Sequence, residues 1–285
     1  MNDKTTRCGK TEFHWGARTH LMGIVNVTPD SFSGDGVSDN DTAVAQACRF
    51  VEEGADMLDI GGESTRPGFT EVPVEEEIGR VVPVVKQLVK MVNVPISVDS
   101  SKYAVIKQAL DAGAAIINDQ WGLKTEPSLA DLAAEYRTPI ILMSNQRDIG
   151  GYDAHSGRDT AGYQDVMTEV ISSLKQSISI AQKAGVPDEN IILDPGIGFG
   201  KTWQQDLEII RRLAEIKALG YPLLMGTSRK SLIKMVLNLP ANQRVEGTAA
   251  TVAISIANGA DIVRVHDVKQ MSRVCKMADA IVRGS

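Results

Sequence analysis

The 285 residues are 43% hydrophobic and 23% charged, with a formal net charge of −6 and an isoelectric point near 5.3. A chain of this length and mix is expected to bury a core of its own as one globular domain. Its acidic balance gives no electrostatic reason to bind nucleic acid or an anionic membrane, both of which require a basic face, so an anionic ligand has to be gathered locally.

Residues 1–20 mix both charge signs without an apolar centre, unlike a secretory signal, and are expected to form a short extension packed on a domain of residues 21–285. No apolar run approaches the roughly 18 residues of a membrane span, and the cytoplasm is the expected setting. Onward from there, periodicity predicts strands at 21–27, 56–60, 95–99, 115–118, 139–143, 190–194, 222–226 and 261–265. Helical spacing fills the intervals 40–53, 74–91, 102–113, 127–136, 160–185, 203–218, 244–258 and 267–283. The strands are short and almost continuously apolar, as in a parallel sheet buried on both faces. Strand and helix alternating in this way predict the α/β class and a single (β/α)8 (TIM) barrel. Three helix-to-strand joints, EEGADMLDI, DAGAAIIND and NGADIVRVH, place Gly54, Gly113 and Gly259 where a helix ends on a left-handed residue.

Most of these strands end in polar residues: Asn26, Asp59, Asp99, Asn118, Ser144 with Asn145, Asp194, Ser228 with Arg229 and Lys230, and Arg264 with His266. In such a barrel the C-terminal ends of the strands form the active-site rim. Long loops at 28–40, 61–73 and 144–159, rich in Gly, Pro, Ser and Asp, overhang the same rim.

Singly, Asp99 reads as an N-cap before SSKYAV and Asp194 as a turn former in DPG. Together with Asn118 on one rim, they read as a polar pocket for a flat ring carrying donors and acceptors. Lys230, Arg264, His266 and Asn26 could surround an anion at the ends of strands one, seven and eight, where barrels of this class hold phosphate. IGFGK at 197–201 lacks the spacing of a phosphate-binding GxxxxGK[ST] loop. Cys8, Cys48 and Cys275 match no metal spacing and read as structural, and His14, His20 and His155 show no ligand spacing.

The segments MGIVNVTPDSFS, DIGGESTRPG, SVDSSK, INDQWG, LDPGIGFGK, GTSRKS and RVHDV, spread in this order over 22–268, resemble the signature segments of the dihydropteroate synthases, pterin-binding enzymes of folate synthesis and sulfonamide targets. The resemblance implies condensation of 6-hydroxymethyl-7,8-dihydropterin pyrophosphate with p-aminobenzoate, with Mg2+ present, in a homodimer joined through its last helices. It implies a pterin site of Asp99, Asn118, Asp194 and Lys230 with Met143, Phe199 and Gly226 lining the slot. It places Asn26, Arg264 and His266 on pyrophosphate, Asn26 also on Mg2+, and Phe32, Thr65, Arg66, Pro67 and Ser231 on p-aminobenzoate. Lys230, Arg264, His266 and Asp99 are expected to act on the reaction itself.

The chain departs from the family's usual pattern in four places. SFSGDG stands for SFSDGG, moving the acid to Asp35; Gln120 replaces an apolar branched residue; Ser144 stands where a histidine is common; and SVDSSK replaces the commoner acid-Thr-Tyr-Lys run. These departures predict retained activity with altered handling of p-aminobenzoate or sulfonamides. Two rivals are a pterin-binding methyltransferase, which needs no anion site at strands seven and eight, and a silent pterin-binding paralogue. The set ESTRPG, TSRKS and RVHDV opposes the first; intact Lys230, Arg264 and His266 oppose the second.

Overall fold

The computed structural model describes residues 4–28, 39–63, 72–147 and 165–284. In chain order, the hairpin strands β1 (Thr5–Cys8) and β2 (Thr11–His14) are followed by β3 (His20–Asn26), α1 (Asp39–Glu52), β4 (Met57–Gly61), α2 (Val74–Met91), β5 (Ile96–Asp99) and α3 (Tyr103–Asp111). Then come β6 (Ile116–Asp119), α4 (Leu129–Glu135), β7 (Ile140–Met143), α5 (Val166–Lys183), β8 (Ile191–Asp194), α6 (Trp203–Arg211) and α7 (Leu213–Lys217). The chain closes with β9 (Leu224–Met225), α8 (Ser231–Leu237), α9 (Val245–Ala257), β10 (Ile262–Val265) and α10 (Val268–Val282).

Strands β3 to β10 form one parallel sheet in the order β8-β7-β6-β5-β4-β3-β10-β9, and a parallel bridge between Leu193 and Leu223 joins its two edges. The result is the expected eight-stranded barrel wrapped in helices. Gly54, Gly113 and Gly259 have φ of +102°, +107° and +104°, and each ends its helix by turning the chain into a strand.

Four features differ from the sequence expectation. The first residues pair as an antiparallel hairpin, Thr5 opposite His14 through Cys8 opposite Thr11. The helix expected at 203–218 is broken at Arg212, which leaves the helical region (φ −103°, ψ 17°) while its guanidinium binds Glu208, Glu215 and Asp165. The strand expected at 222–226 keeps ladder pairing only at Leu224 and Met225. A seven-residue helix, α8, occupies 231–237 where none was expected. No described helix is long and apolar enough to cross a membrane.

Side chains of a strand alternate between its two faces, and this period of two places the site. Leu21 and Val25 of β3, Leu58 and Ile60 of β4, Ile96 and Val98 of β5 and Ile117 of β6 pack outward against the helices. The intervening residues Met22, Met57, Ile116, Ile141, Ile192, Leu224 and Ile262, one from each of seven strands, form a second apolar layer inside the barrel. Cys8, Phe13 and Trp15 of the N-terminal hairpin complete that layer from below. Two residues further along, on the same inward face, stand Ile24, Asp59, Asn118, Met143, Asp194, Gly226 and Arg264, with Asp99 two beyond the inward Ser97.

Candidate active site at the upper end of the barrel

The inward layer above the apolar plug is a connected polar network. Arg264 donates from Nε to Asp59 Oδ2 at 2.6 Å and from Nη2 to Asp99 Oδ2 at 2.7 Å. Asn118 donates from Nδ2 to the same Asp59 oxygen at 2.9 Å, and Gln120 Nε2 lies 2.7 and 2.5 Å from the two oxygens of Asp99. Burial opposes the charge of Arg264, but Asp59 and Asp99 outweigh it and hold the guanidinium above its ordinary pKa. Asp99 is pushed up to about 7, chiefly by burial, against the pull of Arg264.

Asp59 corrects one expectation. Taken as a strand ending, it sits instead in the middle of β4 with 0% exposure, beneath the rim, as a buried anchor for Arg264 and Asn118. The ladder register sets this depth: Asp59 pairs with Ser97, one inward position below Asp99, whose partner on β4 is Gly61.

Across the barrel, Asp194 ends β8 and accepts the Gly196 N–H at 2.7 Å; burial raises its pKa and Lys230 opposes the rise. Lys230 Nζ donates to the Ile197 carbonyl and lies 4.5 Å from the centre of the Phe199 ring. Burial brings this ammonium down to about 8, against Asp194 and Asp206. A Cβ at Gly226 would lie 3.8 Å from Lys230 Nζ, so glycine leaves room beside the ammonium. Met143, paired with Asp194 in the ladder, and Phe199 are both buried and supply apolar surface. The site thus holds an acidic and amide side, a cation, and apolar walls.

His266 follows β10, with Nδ1 3.0 Å from Ser228 Oγ, and its backbone N–H donates to that hydroxyl at 3.1 Å. Asn26 ends β3; a Cβ at Gly61 would lie 3.8 Å from Asn26 Oδ1 and 3.6 Å from Asp99 Cβ, so these two residues flank the same glycine. Ser231 is exposed at the start of α8. Arg229, expected beside Lys230, instead turns to Asp267 with Nε 2.9 Å from its carboxylate, and its positive φ of 58° aims it away from its neighbour. Phe32, Thr65, Arg66, Pro67 and the shifted acid Asp35 lie outside the described residues.

Several supporting groups were not singled out from the sequence. Lys201, buried, donates to the carbonyls of Ser144 (2.8 Å), Gly196 (3.0 Å) and Phe199 (3.2 Å), tying the GIGFG turn to the end of β7. Burial lowers it to about 7. Ser144 is itself fully buried, so this departure supports the turn from beneath. Lys102, of the SVDSSK run, binds Glu63, Glu77 (2.8 Å) and the Val72 carbonyl (2.6 Å), and Val72 N–H donates to Glu63 at 3.0 Å. The two described ends of the second rim loop are therefore fastened together. Only tertiary proximity reveals such clamps, because their partners are carbonyls and distant acids.

Residues 22–266 match the family described as pterin binding enzyme. The dihydropteroate synthase of Clostridium beijerinckii is 50% identical over 279 residues, covering 97% of this chain and 99% of that one. A Clostridium difficile dihydropteroate synthase crystallised in the presence of pteroic acid superposes with a TM-score of 0.88 at 44% identity, over 95% of this chain and 99% of that one. The Xanthomonas albilineans enzyme with 4-aminobenzoic acid gives 0.90 at 38% identity, over 98% of both chains.

A parallel barrel with carboxylates, an amide and two cations at the ends of its strands, matched over this length, belongs to the pterin-binding enzymes. Within them it is a dihydropteroate synthase, a transferase of folate biosynthesis. That reaction joins 6-hydroxymethyl-7,8-dihydropterin pyrophosphate to p-aminobenzoate and releases pyrophosphate.

Proposed function

We propose that the pterin enters the slot between Asp99, Asn118 and Asp194, with Lys230 on its ring and Met143, Phe199 and Gly226 as walls. The observation that carries this reading is the buried chain Asn118–Asp59–Arg264–Asp99 facing the Asp194–Lys230 pair. Buried acceptors and donors in that arrangement select a planar ring whose edge matches them, since each mispaired group would stay unsatisfied. Asp194 and Asn118 face the amino-pyrimidinone edge.

Arg264, His266 and Asn26 hold the pyrophosphate. A guanidinium carries five donors, so its two carboxylate bonds do not exhaust Arg264. As the bond to pyrophosphate lengthens, negative charge gathers on the leaving group and positive charge on the pterin methylene. Arg264 meets the first and Asp99 the second, so both favour the transition state over the bound substrate. The arylamine is already neutral near pH 7 and needs placement rather than a base; Phe32, Thr65, Arg66, Pro67 and Ser231 supply it. The substitution is dissociative, and no side chain becomes covalently attached.

Mg2+ fits a site of this composition. Asn26 offers one neutral oxygen, no group of three His, Cys, Asp or Glu is poised for a metal among the described residues, and a cation held mainly by substrate oxygens suits Mg2+. Bound there, it would share the charge of the departing pyrophosphate.

We further propose one domain, with residues 1–20 as an extension on the barrel, working in the cytoplasm as a homodimer. Met235 and Val236 of α8, Ile254 of α9 and Met277 and Ile281 of α10 are exposed apolar side chains, with Met277 63% and Ile281 72% exposed, and the gain from burying them against a second copy of the chain supports this reading.

A steady-state assay of pyrophosphate release, with and without p-aminobenzoate and Mg2+, tests the site. Wild-type protein should yield dihydropteroate, and Lys230→Ala should lose at least about tenfold in kcat/KM, as expected for a charged hydrogen bond. Lys230→Ala turning over like wild type removes that residue from the pterin site.

A further inference from the structure

Gln120 is a buried polar group that the mechanism leaves without a task. It stands just past β6, two residues beyond Asn118, and is 92% buried by its 8% exposure. Its Nε2 reaches both oxygens of Asp99 while Arg264 binds Oδ2 from β10. The turn that carries it is fixed: Asn145 Nδ2 donates to the Gln120 carbonyl at 3.1 Å, and the Asp119 carboxylate accepts the N–H groups of Trp121 (2.9 Å) and Leu123 (2.5 Å). Yet Gln120 Oε1 is buried with no hydrogen-bond partner among the described residues. An apolar side chain of similar length would fill this place without an orphaned acceptor of its own, so packing alone does not account for the amide; its bond to Asp99 does.

We propose that Gln120 is a positioning residue of the pterin half-site, its amide pinning Asp99 against Arg264 so that the carboxylate meets the bound ring in one orientation. This rests on the reading that Asp99 touches the pterin. An ionised carboxylate offers about four acceptor directions. The amide shares one N–H between the two oxygens and Arg264 binds Oδ2, so the carboxylate is held from two sides and its remaining acceptor directions face a ring donor or the developing positive charge. Asp99 and Gln120 both line the adjoining cleft, beside Ser100, Ser101, Trp121 and Arg147, so the clamp holds the carboxylate in place at the wall of that cleft.

The test compares kcat, both KM values and the melting temperature of wild type, Gln120→Leu, Gln120→Glu and Asp99→Asn. Gln120→Leu removes the orphaned amide oxygen but strips Asp99 Oδ1 of its hydrogen bond, so its melting temperature should stay near that of wild type, while kcat falls about tenfold and KM for p-aminobenzoate stays within about twofold. Gln120→Glu keeps the length, loses the donor and sets a like charge against Asp99, so its kcat should fall further. If the leucine variant does not fold, the glutamate variant carries the comparison. Wild-type kcat in either Gln120 variant overturns the proposal. Asp99→Asn separates the two readings: if it is impaired while Gln120→Leu is not, only the role of Gln120 falls. If Asp99→Asn also turns over like wild type, the pterin-side role of Asp99 falls and the proposal with it.

Discussion

Arg264 balances two carboxylates, one of them fully buried, and this decides what its removal does. Arg264→Leu leaves Asp59 and Asp99 together in the barrel without a countercharge, and breaking a buried pair from one side costs about 3–5 kcal/mol. Urea unfolding should therefore show a loss of that size alongside lost turnover; a variant of unchanged stability contradicts the network. The titrating groups set the pH range. Asp99, pushed up to about 7, takes a proton as pH falls below that value, and Lys230, brought down to about 8, loses its proton above it. kcat/KM for the pterin substrate should peak between these limits, since it reports the free enzyme. In Lys230→Arg, which keeps its charge, residual activity should lack the alkaline limb. A wild-type profile flat across pH 6–9 sinks both assignments.

At the scale of elements, the N-terminal hairpin shuts the lower end of the barrel. Trp15 stacks on Phe13 with ring centres 5.6 Å apart, and its Nε1 donates to Thr6 Oγ1 at 2.8 Å. Trp15→Ala should cost about 3–5 kcal/mol, as for a large aromatic lost from a core, read as a fall in the urea midpoint. His20 is buried edge-on against both rings with Nδ1 3.9 Å from the Asp56 carboxylate, and burial, the largest influence, lowers its pKa. The unfolded chain therefore takes up a proton at this residue before the folded one does, and stability is lost as pH falls below the ordinary histidine range, about 6.5. The difference in stability between wild type and His20→Phe should change with pH below that point and be constant above it. A difference independent of pH would mean that His20 is protonated equally in both states. The hairpin was not legible in the sequence because TTRC and TEFH are too short and too polar to show alternation. Helix α8 was obscured for another reason: SLIKMVL is apolar on both faces, and its outer side chains are left exposed rather than turned inward.

For the whole molecule, the exposed apolar side chains of α8, α9 and α10 should set the assembly. Light scattering should give a dimer for wild type and a monomer for Ile281→Glu with Met277→Glu; a monomeric wild type ends that proposal. The sequence by itself determined the barrel and most of its rim, because parallel strands buried on both faces are written as apolar runs and their polar ends stand out. It also determined Asp99, Asn118, Asp194, Lys230, Arg264 and His266 as a set, since strands that begin together at one end bring their last residues together at the other. What only the tertiary structure decided is which of these groups touch. The period of two sinks Asp59 under Arg264 rather than placing it on the rim, and the turn after β6 swings Gln120 onto Asp99. The backbone of Arg229 sends its charge to Asp267 while Lys230 turns toward Phe199. Such pairings join residues up to 205 positions apart, and they are set by strand register and barrel closure, which no local pattern encodes.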